Sequence, residues 1–126
     1  MLVIVYKNKE FHKWAKKEGL NDAQLLKALD EMERGLVEAD LGGNIFKKRV
    51  SLGQGKRGGA RTLLAYRKGD KAFFIYGFAK NARANIKDIE LKSLKVYTKL
   101  LLGFGEKELR KAIKEKALIQ IEVNNG

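Results

Sequence analysis

The chain has 126 residues, 44% of them hydrophobic and 33% charged, which suits one folded domain and is too short for two independent cores. It has no cysteine and one histidine, which excludes disulfide frameworks and thiol nucleophiles and leaves few ligands for a metal ion. No apolar run approaches the roughly 18–20 residues that span a bilayer, and the net charge of +12 predicts an acidic partner such as nucleic acid. We therefore expect one cytoplasmic domain over residues 1–126, with 103–126 as a C-terminal extension and no cofactor.

The first third of the chain predicts a strand followed by two helices. Leu2–Tyr6 is a short, mostly β-branched run, and Asn8 can cap a helix that ends at Gly19. Asn21 and Gln24 have the spacing of a capping box and start a second helix. We expect the two helices to cover one side of a sheet, with the core face of the second helix formed by Leu25, Leu29, Met32 and Leu36.

The middle of the chain predicts the sheet. Ile45–Ser51 is interpreted as a strand, and Leu52–Gly59 as a loop because it contains four glycines. Arg61–Lys68 and Lys71–Lys80 are two further strands, joined by a two-residue hairpin turn at Gly69-Asp70. In this register Arg61 lies opposite Phe78. Both faces of the hairpin are apolar, so both need a cover; we expect Leu63 and Ala65 to share one face with Phe74, Tyr76 and Phe78, and Leu64 and Tyr66 to share the other with Phe73 and Ile75.

The last third of the chain predicts the helices that cover the second face of the hairpin. Asn85 is interpreted as the N-cap of a helix that ends at Gly103. A further helix is predicted over Glu106–Lys116, followed by a marginal strand over Leu118–Val123. The expected fold class is therefore α+β, with an N-terminal strand and helix hairpin packed on an antiparallel sheet and a C-terminal helix on its other side.

The positive charge is concentrated in the middle of the chain. Residues 41–87 carry twelve basic side chains and one acidic one, Asp70, so this segment has eleven of the twelve net charges. A merely solubilising face normally has acidic residues interspersed, so the pattern favours a site for a polyanion.

The strand ends within this segment gather a cluster of cations, which we interpret as catalytic: Arg61, Lys80 and Arg83. Such a site can cleave RNA without a metal ion, because the nucleophile is the 2′-hydroxyl of the substrate and fixed cations stabilise the charge that develops at phosphorus. Like-charge repulsion lowers the pKa of a crowded lysine, so Lys80 is the candidate general acid or base, while Arg61 and Arg83 hold the phosphate.

Other residues of the segment are candidate RNA contacts. We assign nonspecific phosphate contacts to Lys47, Lys48, Arg49, Lys56 and Arg57. Tyr76 and Phe78 can stack a base, although they alternate with core positions and packing is the alternative interpretation. His12 lies early on a helix among lysines, and we interpret it as a surface or packing residue.

Two stretches carry a resemblance to a known family: Gly55–Leu63 (GKRGGARTL) and Phe74–Ile86 (FIYGFAKNARANI). They resemble the toxins of RelE/HigB-type bacterial toxin-antitoxin systems, of the RelE/ParE superfamily, and the order of elements over about residues 2–102 is also similar to theirs. The resemblance implies a metal-independent mRNA endoribonuclease that acts on ribosome-bound messages and inhibits translation. It also implies an acidic cognate antitoxin with a DNA-binding helix-turn-helix.

Carried over by motif, the resemblance assigns Arg61 to the arginine of the third strand, Lys80 and Arg83 to the basic residues closing the fourth, and Lys56 and Arg57 to the basic loop. The sequence lacks the histidine or terminal tyrosine that some relatives use at the site, which leaves the general acid open. Two other functions remain as alternatives: a ParE-like inhibitor of DNA gyrase, and a non-catalytic RNA- or DNA-binding module.

Overall fold

A computed structural model describes residues 3–51, 59–79 and 88–122 of the chain. These residues form ten elements in the order β1 (Ile4–Asn8), α1 (Lys9–Glu18), α2 (Asp22–Glu33), β2 (Ala39–Gly42), β3 (Ile45–Val50), β4 (Ala60–Arg67), β5 (Lys71–Ala79), α3 (Asp88–Leu102), α4 (Glu106–Lys114) and β6 (Leu118–Ile121). The predicted α+β class is confirmed. A search of these ranges finds no helix with the length and apolar character that crossing a bilayer requires.

The caps predicted for the first two helices are present. The Asn8 side chain accepts a hydrogen bond from the Phe11 N–H at 2.8 Å, and Gly19 ends α1 in the left-handed conformation. Asn21 and Gln24 form the full capping box at the start of α2. Local hydrogen-bonding capacity alone therefore sets these three helix ends.

The expected core position of Leu36 is wrong, because α2 ends earlier than the apolar spacing suggested. Gly35 takes a φ of +91°, and the N–H groups of Gly35 and Leu36 bond back to the carbonyls of Met32 and Glu31. This helix-ending motif turns the chain out of the helix. The Leu36 side chain is consequently 56% exposed.

The strand order is β2-β3-β4-β5-β1-β6. All neighbouring strands are antiparallel except β1 and β5, which run parallel, so the sheet is mixed rather than purely antiparallel. β1 can lie beside β5 because α1 and α2 carry the chain back across the sheet, as a parallel pairing requires. β2 is a four-residue strand that ends at Gly42, and it is not among the strands predicted from the sequence.

Both faces of the sheet are covered, as the apolar hairpin predicted. α1 and α2 pack on one face, in a core that includes Phe11, Leu25, Leu29, Leu64 and Phe74. α3 and α4 pack on the other face, which we call the α3 face, in a core that includes Ile45, Leu63, Phe73, Leu101 and Leu109. β6 pairs with β1 and closes the sheet on that side.

The turn between β4 and β5 has three residues, so the predicted two-residue turn is wrong. Arg67 pairs with Lys71, and the Asp70 N–H donates to the Arg67 carbonyl at 3.0 Å. Gly69 takes a φ of +74° within this turn, a conformation that glycine adopts without steric cost.

A bulge at Ile75 then shifts the pairing by one residue: Leu64 faces Phe74, but Leu63 faces Tyr76. The predicted division of β5 between the two faces is therefore wrong before the bulge, where Phe73 and Ile75 lie with Leu63 and Ala65. The extra turn residue and the bulge cancel each other, so the predicted pairing of Arg61 with Phe78 is confirmed.

Candidate nucleic-acid interface

Three central strands place basic and aromatic side chains on one face of the sheet, at the end away from the β4–β5 turn. Arg49 of β3, Arg61 of β4 and Phe78 of β5 are paired in one cross-strand row. In the next pairing row of this face, Lys47, Leu63 and Tyr76 are aligned in the same way. Directly paired residues share a face, and that face is the α3 face because Leu63 belongs to its core. We call these two rows the basic face.

Arg61 is held in place by an ion pair. Its Nε donates to Oε1 of Glu38 at 3.0 Å, and its side chain is only 16% exposed. Glu38 is itself fixed next to β3, because its N–H donates to the Lys47 carbonyl at 3.0 Å. The carboxylate of Glu38 therefore orients the guanidinium of Arg61 and offsets part of its positive charge. Glu38 is a site residue that the sequence analysis missed, since it lies before the basic segment and only the sheet register brings it to Arg61.

Lys48 does not lie on the basic face. Its ammonium donates to Glu31 at 2.9 Å and to the Leu36 carbonyl at 3.0 Å, on the α2 side of the sheet, and its side chain is 10% exposed. The hydrogen bond from Lys48 holds the pKa of Glu31 below its ordinary value. Lys48 thus differs from Lys47 and Arg49: its charge is used inside the fold, and strand alternation is the reason.

The two aromatic candidates are placed differently from each other. Phe78 is buried in the core of the α3 face, whereas Tyr76 is half-buried at the margin of that core. Their ring centroids lie 6.0 Å apart with planes inclined by 44°. Phe78 is thus a packing residue that supports Tyr76, and only Tyr76 presents part of its ring to the outside.

Four predicted site residues, Lys56, Arg57, Lys80 and Arg83, lie outside the described residues. The strands that lead to them are described: β4 begins at Ala60, β5 ends at Ala79, and these two residues are paired. Ala60 and Ala79 therefore lie at the same end of the sheet, in the pairing row next to Arg61.

His12 lies on α1, on the other side of the sheet from the basic face. Its Nδ1 is buried without a hydrogen-bond partner in the described parts of the chain. Burial lowers its pKa, and the charges of Lys7 and Lys16 act in the same direction. Over the same residue ranges, no three His, Asp or Glu side chains are grouped so that they could hold a metal ion.

Comparison with known proteins gives one family. A sequence model of that family, described as the RelE toxin of the RelE / RelB toxin-antitoxin system, matches residues 3–121. A search of curated protein sequences gives no significant match. The family match covers every strand and helix described above.

Proposed function

This chain belongs to the RelE toxin family and is the toxin of a toxin-antitoxin system, and from that premise we propose that it is a metal-independent endoribonuclease. Its substrate in this proposal is messenger RNA bound to the ribosome, so that cleavage inhibits translation. The family also implies a cognate antitoxin. We propose that the antitoxin is acidic, that it covers the basic face, and that it carries a DNA-binding helix-turn-helix.

The observation that carries the proposal is the row formed by Arg49, Arg61 and Phe78, flanked by Lys47 and Tyr76. Arg49 and Arg61 are directly paired across β3 and β4, and Glu38 offsets part of the positive charge of Arg61. A phosphodiester suits this position, because a guanidinium can bind two phosphate oxygens at once. The partly exposed Tyr76 is the proposed stacking partner of a neighbouring base.

In the proposed reaction, the 2′-hydroxyl of the substrate attacks the adjacent phosphorus, and the bond to the 5′-oxygen of the next nucleotide breaks. A cyclic phosphate and a free 5′-hydroxyl result. Arg61 stabilises the negative charge that develops on the phosphate oxygens, with Arg83 as a second cation. Lys80 is the proposed general acid or base, which would take the proton of the 2′-hydroxyl or give a proton to the 5′-oxygen that leaves.

The test is inducible expression in a bacterium, with mapping of the 5′ ends of cellular mRNA. We expect the wild type to arrest growth and to generate new 5′ ends within messages. Arg61→Ala is expected to lower cleavage by on the order of 100-fold or more, as the loss of a transition-state contact does, while largely sparing RNA binding. Arg61→Lys is expected to behave similarly, because lysine keeps the charge but lacks the fork of donors.

The matched control is Arg110→Ala, which removes the same charge from the exposed side of α4. It is expected to leave the cleavage pattern unchanged. Thermal unfolding of both variants separates a lost contact from a lost fold. Growth arrest with intact messages would contradict the proposal, and DNA damage in its place would indicate the gyrase-directed alternative.

A further inference from the structure

A second group of cations surrounds a cavity at the other end of the sheet, near the β4–β5 turn. The cavity has a volume of about 560 Å³ and lies between the C-terminal half of α3, the β2–β3 turn and the end of β4. We call it the turn-end cavity. Its lining includes Arg67, Lys95, Lys99, Gly43, Leu102 and Gly103.

The cations of the turn-end cavity are largely uncompensated. Lys95 and Lys99 are one helical turn apart and so project from the same side of α3. Within the described residues, neither ammonium has an ion pair or a hydrogen-bond partner. Arg67 contacts Asp70 at 3.4 Å, and both side chains of this pair are about half exposed, which makes the pair weak. Three positive charges therefore line one cavity, and of the three only Arg67 has an ion pair within the described residues.

The backbone around the cavity comes from Gly43 and from the C-terminal end of α3. Gly43 has a φ of +59°, and a Cβ built on it would lie 3.2 Å from Cγ of Lys95, so the stem of Lys95 lies across this glycine. The carbonyls at the end of α3 would repel an anion if they were free. Two of them are hydrogen-bonded instead, because the Gly103 N–H donates to Lys99 O at 3.1 Å and to Leu100 O at 3.2 Å.

The position of the cavity relates it to the basic face. Arg61 and Arg67 are six residues apart on β4, so their side chains lie on the same face of the sheet. At about 3.3 Å per residue the two positions are about 20 Å apart. One extended RNA can reach both, but a single phosphate cannot.

We propose that the turn-end cavity binds a phosphate of the RNA backbone several nucleotides away from the phosphate held at Arg61. This inference rests on the proposed function. An RNA occupant fits better than a carboxylate side chain of a protein partner for two reasons. The cavity has the size of a small-molecule pocket, so it admits a whole sugar-phosphate unit, and one guanidinium with two ammonium groups matches the several oxygens of a phosphate.

The experiment compares Lys95→Gln/Lys99→Gln with Lys13→Gln/Lys17→Gln. Both double variants remove two exposed or half-exposed lysines one turn apart on a helix, but the second pair lies on α1, away from the cavity. Two probes are used with the full chain. One is a trinucleotide RNA, whose two phosphodiesters lie too close together to occupy both the basic face and the turn-end cavity, and the other is the same trinucleotide extended on both sides by single-stranded RNA. Binding is measured by fluorescence anisotropy over a range of salt concentrations, and cleavage is followed in parallel.

We expect the cavity variant to bind the extended RNA about tenfold more weakly than wild type. The slope of the logarithm of the binding constant against the logarithm of the salt concentration should become shallower by about 0.7 for each phosphate contact removed. We expect the cavity variant to bind and cleave the trinucleotide as wild type does. The control variant should match wild type on the extended RNA within about twofold, because diffuse charge is screened by salt.

Three results would overturn the inference: equal losses in both double variants, no loss in either, or a loss seen only with an acidic peptide in place of RNA. The last result would assign the cavity to a protein partner. If the wild type cleaves neither RNA but the cavity variant alone binds the extended RNA more weakly, the nuclease proposal fails and the cavity inference stands.

Discussion

The three consecutive cations of β3 have different roles because their side chains point to different faces of the sheet. Lys47, Lys48 and Arg49 are consecutive, and the sequence analysis assigned all three to RNA. Strand alternation sends Lys48 to the α2 side, where it pairs with Glu31, while the other two stay on the basic face. Lys48 is a structural residue in this fold. Consecutive charged residues along a strand therefore contribute to two opposite faces of the sheet and not to one.

The first prediction compares Lys48→Met with Lys47→Met. The Lys48 change leaves the Glu31 carboxylate and the Leu36 carbonyl without their donor, and it should lower the free energy of unfolding by about 1–2 kcal/mol. The Lys47 change should alter stability by less than about 0.5 kcal/mol but should weaken RNA binding. Urea unfolding and RNA anisotropy measure the two effects. Equal stability of the two variants would contradict the role given to Lys48.

The same pair predicts a pH dependence. The pKa of Glu31 is held below its ordinary value of 4.5. A carboxyl whose pKa is lower in the folded state contributes stability above its unfolded pKa, and this contribution is lost as the pH falls through the folded pKa. The difference in stability between wild type and Lys48→Met should therefore be full at neutral pH and shrink below about pH 4.5. A difference that stays constant down to pH 3 would show that Glu31 does not supply it.

Glu38 supports a third prediction. Glu38→Gln removes the ion pair that orients Arg61, and it also removes a negative charge from the basic face. We expect RNA to bind a few-fold more tightly, while cleavage falls by about tenfold because the guanidinium is less well placed. Asp30→Asn, which breaks the exposed ion pair with Arg34, is the control and should change neither. Parallel changes in binding and cleavage would exclude a positioning role for Glu38.

Among the contacts between elements, the close packing of α1 on β5 depends on the absence of a side chain at Gly77. A Cβ built on Gly77 would lie 2.2 Å from the six-membered ring of Trp14, so the indole rests directly on the strand.

The carboxyl end of α2 is tied to the β4–β5 turn, because one oxygen of Glu33 accepts hydrogen bonds from both the Tyr66 hydroxyl and the Gly69 N–H. Burial is the main cause that raises the pKa of the Tyr66 hydroxyl, and its hydrogen bond to Glu33 acts in the same direction. These contacts hold the two helices on the sheet.

The prediction at this scale is that Gly77→Ala displaces Trp14. Overpacking of this kind costs about 1–3 kcal/mol of stability, and the indole should become more exposed. Trp14 is the single tryptophan of the chain, so its fluorescence reports the change directly as a shift of the emission to longer wavelength. Gly105→Ala is the control, because its new methyl group would meet only the Glu108 carboxylate, at 3.5 Å. An unchanged emission in Gly77→Ala would contradict the packing described.

At the scale of the whole molecule, the net charge of +12 predicts that nucleic-acid binding is dominated by phosphate contacts. If about five phosphates are contacted, raising the salt from about 50 to 200 mM should weaken binding by about 100-fold. A DNA strand of the same sequence should bind with a similar salt slope but should not be cleaved, because it lacks the 2′-hydroxyl. Cleavage of the DNA strand, or binding that salt does not change, would contradict the proposed mechanism.

Features that depend on neighbours along the chain could be predicted from the residues alone. Asn8, Asn21 and Gln24 define helix starts because their side chains bond to backbone groups three residues away, and Gly19 ends a helix by its own backbone freedom. The apolar character of both sides of β4 and β5 likewise required a cover on each face, and the α+β class followed from that requirement.

Features that depend on contacts between distant segments could not be predicted without the fold. The bulge at Ile75, the pairing of Arg61 with Glu38 and the burial of Lys48 against Glu31 all arise between elements that are far apart in sequence. Period-2 alternation cannot reveal a bulge, since one inserted residue exchanges the faces of everything beyond it. The cations of the turn-end cavity come from β4 and α3, and they converge only because α3 packs across the sheet.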